Sequence, residues 1–196
     1  MLTLMKVLKR FLKADRGAAA IEGAFILPFL AIVYFCLQDF TALVTFNRKI
    51  TLTSSTVSDT IAQYQTSILR SNITDILNVV GLIMQPTPTA NVRVNVYGYY
   101  LNGSAVTQRW KITNGNGPTC TAPDTTNFST MMSTSSNDLV VAVTCMNYTP
   151  WVATFLGTNL LGGTTMLLQQ NIAVRPRASS TLTCYTDSTK TSSCAS

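Results

Sequence analysis

Few side chains in this chain are able to do chemistry, and their types argue against catalysis. No histidine is present, which removes the usual general base at neutral pH. Beyond the N-terminal region the acids are Asp59, Asp75, Asp124, Asp138 and Asp187, with Asp39 ahead of them, and none is paired at the close spacing that acid–base work needs. Neither a nucleophile elbow nor a phosphate-binding glycine loop occurs, and Gly162-Gly163-Thr164 reads as a turn. Four of the five cysteines, Cys120, Cys145, Cys184 and Cys194, are separated by 25, 39 and 10 positions with no C-x-x-C pair. Those spacings fit no zinc pattern but suit two disulfides in an oxidising compartment. Three pairings are possible, and Cys120 with Cys145 and Cys184 with Cys194 is expected because each closes the shorter loop. No enzyme activity, cofactor or metal is expected.

The remaining reactive feature is a single acid in an apolar run. Gly17 to Leu37, GAAAIEGAFILPFLAIVYFCL, carries one ionisable side chain, Glu22, and follows a basic segment with Lys6, Lys9, Arg10, Lys13 and Arg16. At about 1.5 Å per residue, Ala18 to Leu37 spans ~30 Å as a helix, the hydrocarbon thickness of a bilayer. A carboxylate drawn toward hydrocarbon costs on the order of 2–3 kcal/mol, less near the interface, so Glu22 needs a partner or must reach the headgroups. The order of parts is also informative. A secretory signal places its small cleavable residues after the apolar run, whereas here the cluster Gly17-Ala18-Ala19-Ala20 precedes it. A peptidase acting there would remove only the basic leader and leave the apolar helix on the mature chain.

This arrangement resembles the class III signal of type IV pilin-like proteins, in which prepilin peptidase cuts after a glycine and a glutamate lies five residues into the product. Gly17, Ala18 and Glu22 have that spacing. The segment RGAAAIEGAFILPFL, with Asp39-Phe40 beyond it, is similar to the N-terminus of TadE/TadG-like minor pseudopilins of tight-adherence (Flp, type IVc) pilus systems. In that family a proline lies within the helix and an acidic–aromatic pair closes it; Pro28, Asp39 and Phe40 match and are assigned to helix packing. The residue after the glutamate, usually aromatic in the family, is Gly23 here, with Phe25 displaced by two. The match covers roughly residues 16 to 46 and is topological beyond. It implies that prepilin peptidase removes residues 1–17, and that the new Ala18 amine pairs with Glu22 of the same or a neighbouring subunit. The partners it implies are membrane lipid, other minor pseudopilins, the major Flp-type pilin and pilus platform proteins, in a hetero-oligomer.

The elements that must position these residues follow from periodicity and charge. Net charge is +6, but the leader through Gly17 holds five basic residues and one acid, or +4, leaving +2 for the rest. The basicity is therefore topogenic, and no basic patch with interleaved aromatics points to nucleic acid. Five positive residues before the span against Arg48 and Lys49 behind it place the N-terminus in the cytoplasm and export the remainder; the resemblance implies that the membrane is the bacterial inner one, with the domain in the periplasm or beyond. Residues 2–16 read as an amphipathic targeting helix. The chain divides into the leader 1–17, a transmembrane helix 18–46, a helical region 47–85, a sheet domain 86–178 and a polar, disulfide-held tail 179–196.

Ile50, Val57, Ile61, Tyr64 and Ile68 keep helical spacing and extend the membrane helix outward as a stripe that packs on its own domain or on another subunit, the first being favoured. Asn72 is expected to cap a second helix whose apolar positions are Ile73, Ile76, Leu77, Val80 and Met84, ended by Pro86 and Pro88, and which lies on a sheet. Alternation from Val92, the Asn102-Gly103 turn, and Val106, Trp110 and Ile112 on one shared face predict a hairpin. Residues 114–137 are expected to form a long surface loop stapled by Cys120, with Met131 and Met132 folding back. Strands over 139–145 and 166–174 complete an antiparallel sheet of about four strands, with a short apolar connection 151–161 reversed at Gly162-Gly163. The fold class expected is α+β. Four N-x-Ser/Thr triplets, at Asn72, Asn102, Asn127 and Asn147, are frequent by chance in a chain this rich in Ser and Thr. Two functions fit: a minor pseudopilin acting in pilus priming or assembly, and an anchored surface or envelope domain that binds a partner without entering a fibre.

Overall fold

A computed structural model describes residues 17–86, 91–132, 138–152, 165–177 and 181–194, with side chains from Ile21 onward. The leader and most of the apolar connection, including Gly162-Gly163, lie outside the described residues. The first element is α1, Gly17–Ala62, 46 residues that continue without a break through Pro28. At about 1.5 Å per residue this is a rod of ~70 Å. A short strand β1 (Ser67–Leu69) then leads directly into α2 (Arg70–Ile83). A four-stranded antiparallel sheet follows, built from β2 (Val92–Asn102), β3 (Ala105–Asn114), β4 (Asp138–Tyr148) and β5 (Met166–Val174), in the order β3-β2-β4-β5. A single helical turn α3 (Phe128–Met131) precedes β4, and β6 (Thr183–Tyr185) pairs in parallel with β1.

Helix α1 ends at Ala62, short of the expected continuation to Ile68. Its last turns close with Gln63 and Tyr64 N–H groups donating to Thr60 and Ile61, and the Arg177 N–H donates to the terminal Ala62 carbonyl at 3.0 Å. Ile68 is buried as expected but sits in β1. Its place in the helical series is therefore a coincidence of spacing across a chain reversal. The stripe proper, Ile50, Val57 and Ile61, packs inside the chain against the sheet and α2.

Helix α2 buries Ile73, Leu77 and Val80, with Met84 at its C-cap, on β2 and β3. Asn72 is not its cap. The helix begins two residues earlier, with extended Leu69 at the cap position and no side-chain bond, because β1 feeds straight into it. Asn72 thus falls in the first turn.

The hairpin turns through Gly103-Ser104, with Gly103 at φ 65°, so the glycine occupies the first central position, as a type II′ turn requires. Val106 does not share a face with Trp110 and Ile112. The register pairs Gly98 with Trp110 but Tyr99 with Gln108, so Arg109 is an extra residue on β3. One inserted residue flips everything beyond it to the opposite face. Val106 joins Tyr97, Tyr99 and Leu139, while Trp110 and Ile112 face α1 and α2.

The central strand β4 is buried on both faces. Val140, Ala142 and Met146 face the helices; Leu139, Val141 and Val143 face Tyr97, Tyr99, Phe128 and Met132. The polar stretch after β3 is thus more than a surface loop. It covers the second sheet face, where Phe128 and Met132 are buried, and the Cys120–Cys145 disulfide ties it to β4. Met131, in contrast, is exposed. The tail is likewise part of the core: Leu182, Cys184 and Cys194 are buried beside Ile68 and Trp110, and Cys184 is bonded to Cys194.

Candidate functional site

The processing and helix-packing residues singled out by sequence all lie on α1, along its free half and near the joint where that helix meets the sheet. Gly17 and Ala18 occupy the first turn of α1, and Glu22 lies five residues beyond Gly17, ~7.5 Å along the axis. Glu22 is exposed, as are Ile21, Phe25, Ile26, Leu27, Phe29, Leu30, Tyr34 and Leu37 around the same rod, with Phe25 at 78 %. Apolar side chains presented in every direction do not describe a helix packed on its own domain. This helix is long and apolar enough to cross a membrane, and no residue of its most apolar stretch is buried within the molecule. Pro28 lies within that stretch.

At Asp39 the helix changes character. The carboxylate accepts the Trp151 N–H at 2.8 Å and the Val152 N–H at 2.7 Å, and the Tyr148 hydroxyl lies 3.2 Å from Oδ1 and 3.3 Å from the Asp39 carbonyl. Asp39 thus caps the turn that begins at Trp151 and ties the helix to the end of β4, an arrangement in which acid and unpaired N–H groups satisfy each other. Burial, then the neighbouring Asp39 charge and its hydrogen bond, push the Tyr148 phenol up to about 12, so the hydroxyl remains a neutral donor. The Phe46 ring packs on Tyr148 at 5.5 Å. Phe40, paired with Asp39 in the sequence, stays outside this joint and is 66 % exposed.

From Phe46 to Ala62 the helix lies on β4 and β5. Small polar residues Thr53, Ser54 and Ser58 are fully buried there, and Ser54 Oγ donates to Thr144 Oγ1 at 2.8 Å across the interface. At the far end Arg177 bonds Asp59 at 2.6 Å, while nearer the joint Lys49 Nζ donates to the Gln85 carbonyl beside the end of α2.

A second carboxylate, Asp138, opens β4. It accepts the Leu182 N–H at 2.6 Å and pairs with Arg109 at 3.1 Å. Arg109 is the bulge residue, so the extra residue in β3 aims its guanidinium at this acid. Burial raises the Asp138 carboxyl above its ordinary range, outweighing the Leu182 hydrogen bond and the Arg109 charge. Both acids are therefore committed to structural bonds. Among the described residues no three His, Cys, Asp or Glu side chains gather as a metal ion would need.

Comparison with family models, curated proteins and solved structures finds no match. The chemistry of the site therefore rests on its own geometry. The expected disulfide pairing is present in both bonds, and Asp39 ties α1 to the end of β4 and the turn after it. The partners Tyr148, Trp151 and Val152 carried no local signal, since each lies more than a hundred residues from Asp39.

Proposed function

We propose that this chain is a minor pseudopilin-like subunit of a tight-adherence type IV pilus machine. It is held in the bacterial inner membrane by residues 18–37, with the basic leader in the cytoplasm and the sheet domain in the periplasm or beyond. The observation that carries the reading is a lone carboxylate, Glu22, five residues past Gly17 on a helix whose apolar surface is exposed on every side. In hydrocarbon that acid needs a positive partner. Cleavage after Gly17 by prepilin peptidase creates one, the Ala18 amine, in the same subunit or in a neighbour packed alongside. Processing then supplies both the charge and the free helix end that lateral assembly with other minor pseudopilins and the major pilin needs. The two disulfides support an oxidising, extracytoplasmic home for the folded part. The joint at Asp39 supports a domain held at a set height above the bilayer, suited to priming or assembling a fibre on its platform.

Co-expression with an active prepilin peptidase tests this. The mature chain is expected to begin at Ala18 by intact mass, and Gly17→Trp is expected to abolish the size reduction. A chain that keeps its initiating methionine beside the active peptidase would sink the proposal and leave an anchored, partner-binding envelope domain as the reading.

A further inference from the structure

We infer that the end of the sheet domain nearest the apolar helix is itself a lipid-contact surface, a foot that seats the domain on the headgroup layer. The inference rests on the reading of α1 as a membrane span. The Asp39 bonds hold the Trp151 backbone at the level of residue 39, two positions past Leu37, where the apolar run stops. Trp151 is 73 % exposed there. The β4–β5 register brings Met166 opposite Tyr148 and Leu167 opposite Asn147 at the same end, and Met166 and Leu167 are 55 % and 46 % exposed. Phe40, on α1 itself, adds a further exposed ring at this height.

The opposite end of the domain is set by Arg177 against Asp59 and Ala62, some twenty residues farther along the rod, so these apolar side chains lie on the membrane-proximal end only. With Ala18 to Leu37 filling ~30 Å of hydrocarbon, residue 39 falls in the interface. Tryptophan and tyrosine are enriched at that depth because an apolar ring and a polar group are both satisfied there. The surface is continuous with the helix already in lipid, and its occupant is therefore the bilayer interface rather than a soluble protein.

The chain has two tryptophans, and Trp110 is 1 % exposed with its indole N–H donated to the Leu182 carbonyl at 3.3 Å, which makes it an internal unquenched reference. The full chain is reconstituted alone in phosphatidylethanolamine–phosphatidylglycerol vesicles containing lipids spin-labelled at shallow or deep acyl positions. Trp151 fluorescence is expected to be quenched more by shallow than by deep labels, and the lipid quenching is expected to disappear in Trp151→Phe, which keeps the backbone bond to Asp39. Retention after alkaline extraction with quenching only by aqueous acrylamide would overturn the foot and leave the span. Quenching chiefly by deep labels would overturn the headgroup placement. Loss of the protein from the vesicles on alkaline extraction would overturn both.

Discussion

At Gly98 the chain has no room for a side chain. A Cβ added there would lie 2.3 Å from two atoms of the Trp110 ring system, and that ring is buried and held by its bond to Leu182. It has nowhere to retreat. Gly98→Ala is expected to destabilise the domain by about 1–3 kcal/mol, the range for overpacking a filled core, measured as a shift in the urea midpoint in detergent. Asp138 makes a different prediction. Its carboxyl is raised in the folded state by burial, so ionisation disfavours folding, and that penalty is relieved as pH falls from the raised value toward the ordinary aspartate range near 3.8. Compared with Asp138→Asn, the wild type is expected to gain stability as pH drops through that window; parallel pH profiles for the two proteins would contradict it. Neither effect is visible in the sequence.

Elements were legible to the extent that their periodicity was uninterrupted. The four strands, α2 and the long N-terminal helix all follow from alternation or helical spacing, and the errors lie where a single residue or a long-range contact intervenes. The bulge at Arg109 is one residue, yet it moves Val106 to the other face of the sheet. The end of α1 is decided by the Arg177 N–H arriving at Ala62 from across the domain. The β1–β6 pair, three residues each, is too short to carry a pattern of its own. The Asp39 joint belongs to this scale, because it couples the membrane-length helix to the end of β4 and the turn that follows it. Asp39→Ala leaves the Trp151 and Val152 N–H groups without their acceptor and is expected to cost about 1–2 kcal/mol of local stability. Hydrogen exchange at those two amides should then run roughly 5- to 30-fold faster, while the Val141 and Val143 amides in the sheet centre keep their wild-type rates. Unchanged exchange at residues 151 and 152 would show that the carboxylate does not hold the joint.

For the whole molecule, the sheet has two buried faces and the chain covers them by different means. One face receives the outer half of α1, together with α2 and the tail; the other is closed by a loop poor in apolar residues that a disulfide fastens to β4. This leaves the inner half of α1 holding most of the exposed large apolar side chains among the described residues, and the proposal of a bilayer and neighbouring helices as its surroundings starts there. What the amino-acid order determined unaided was local: an apolar run of bilayer length with one acid and a glycine before it, the strand and helix periods, and a disulfide pairing set by short loops. Tertiary structure alone decided which carboxylate meets which amide, that a polar loop becomes a core cover, and that Trp151 and Met166 share the end of the sheet domain nearest the apolar helix. Spacing along a chain reports a residue's immediate neighbours, whereas hydrogen bonds and burial between segments a hundred residues apart depend on how the elements pack, and packing leaves no mark in either segment by itself.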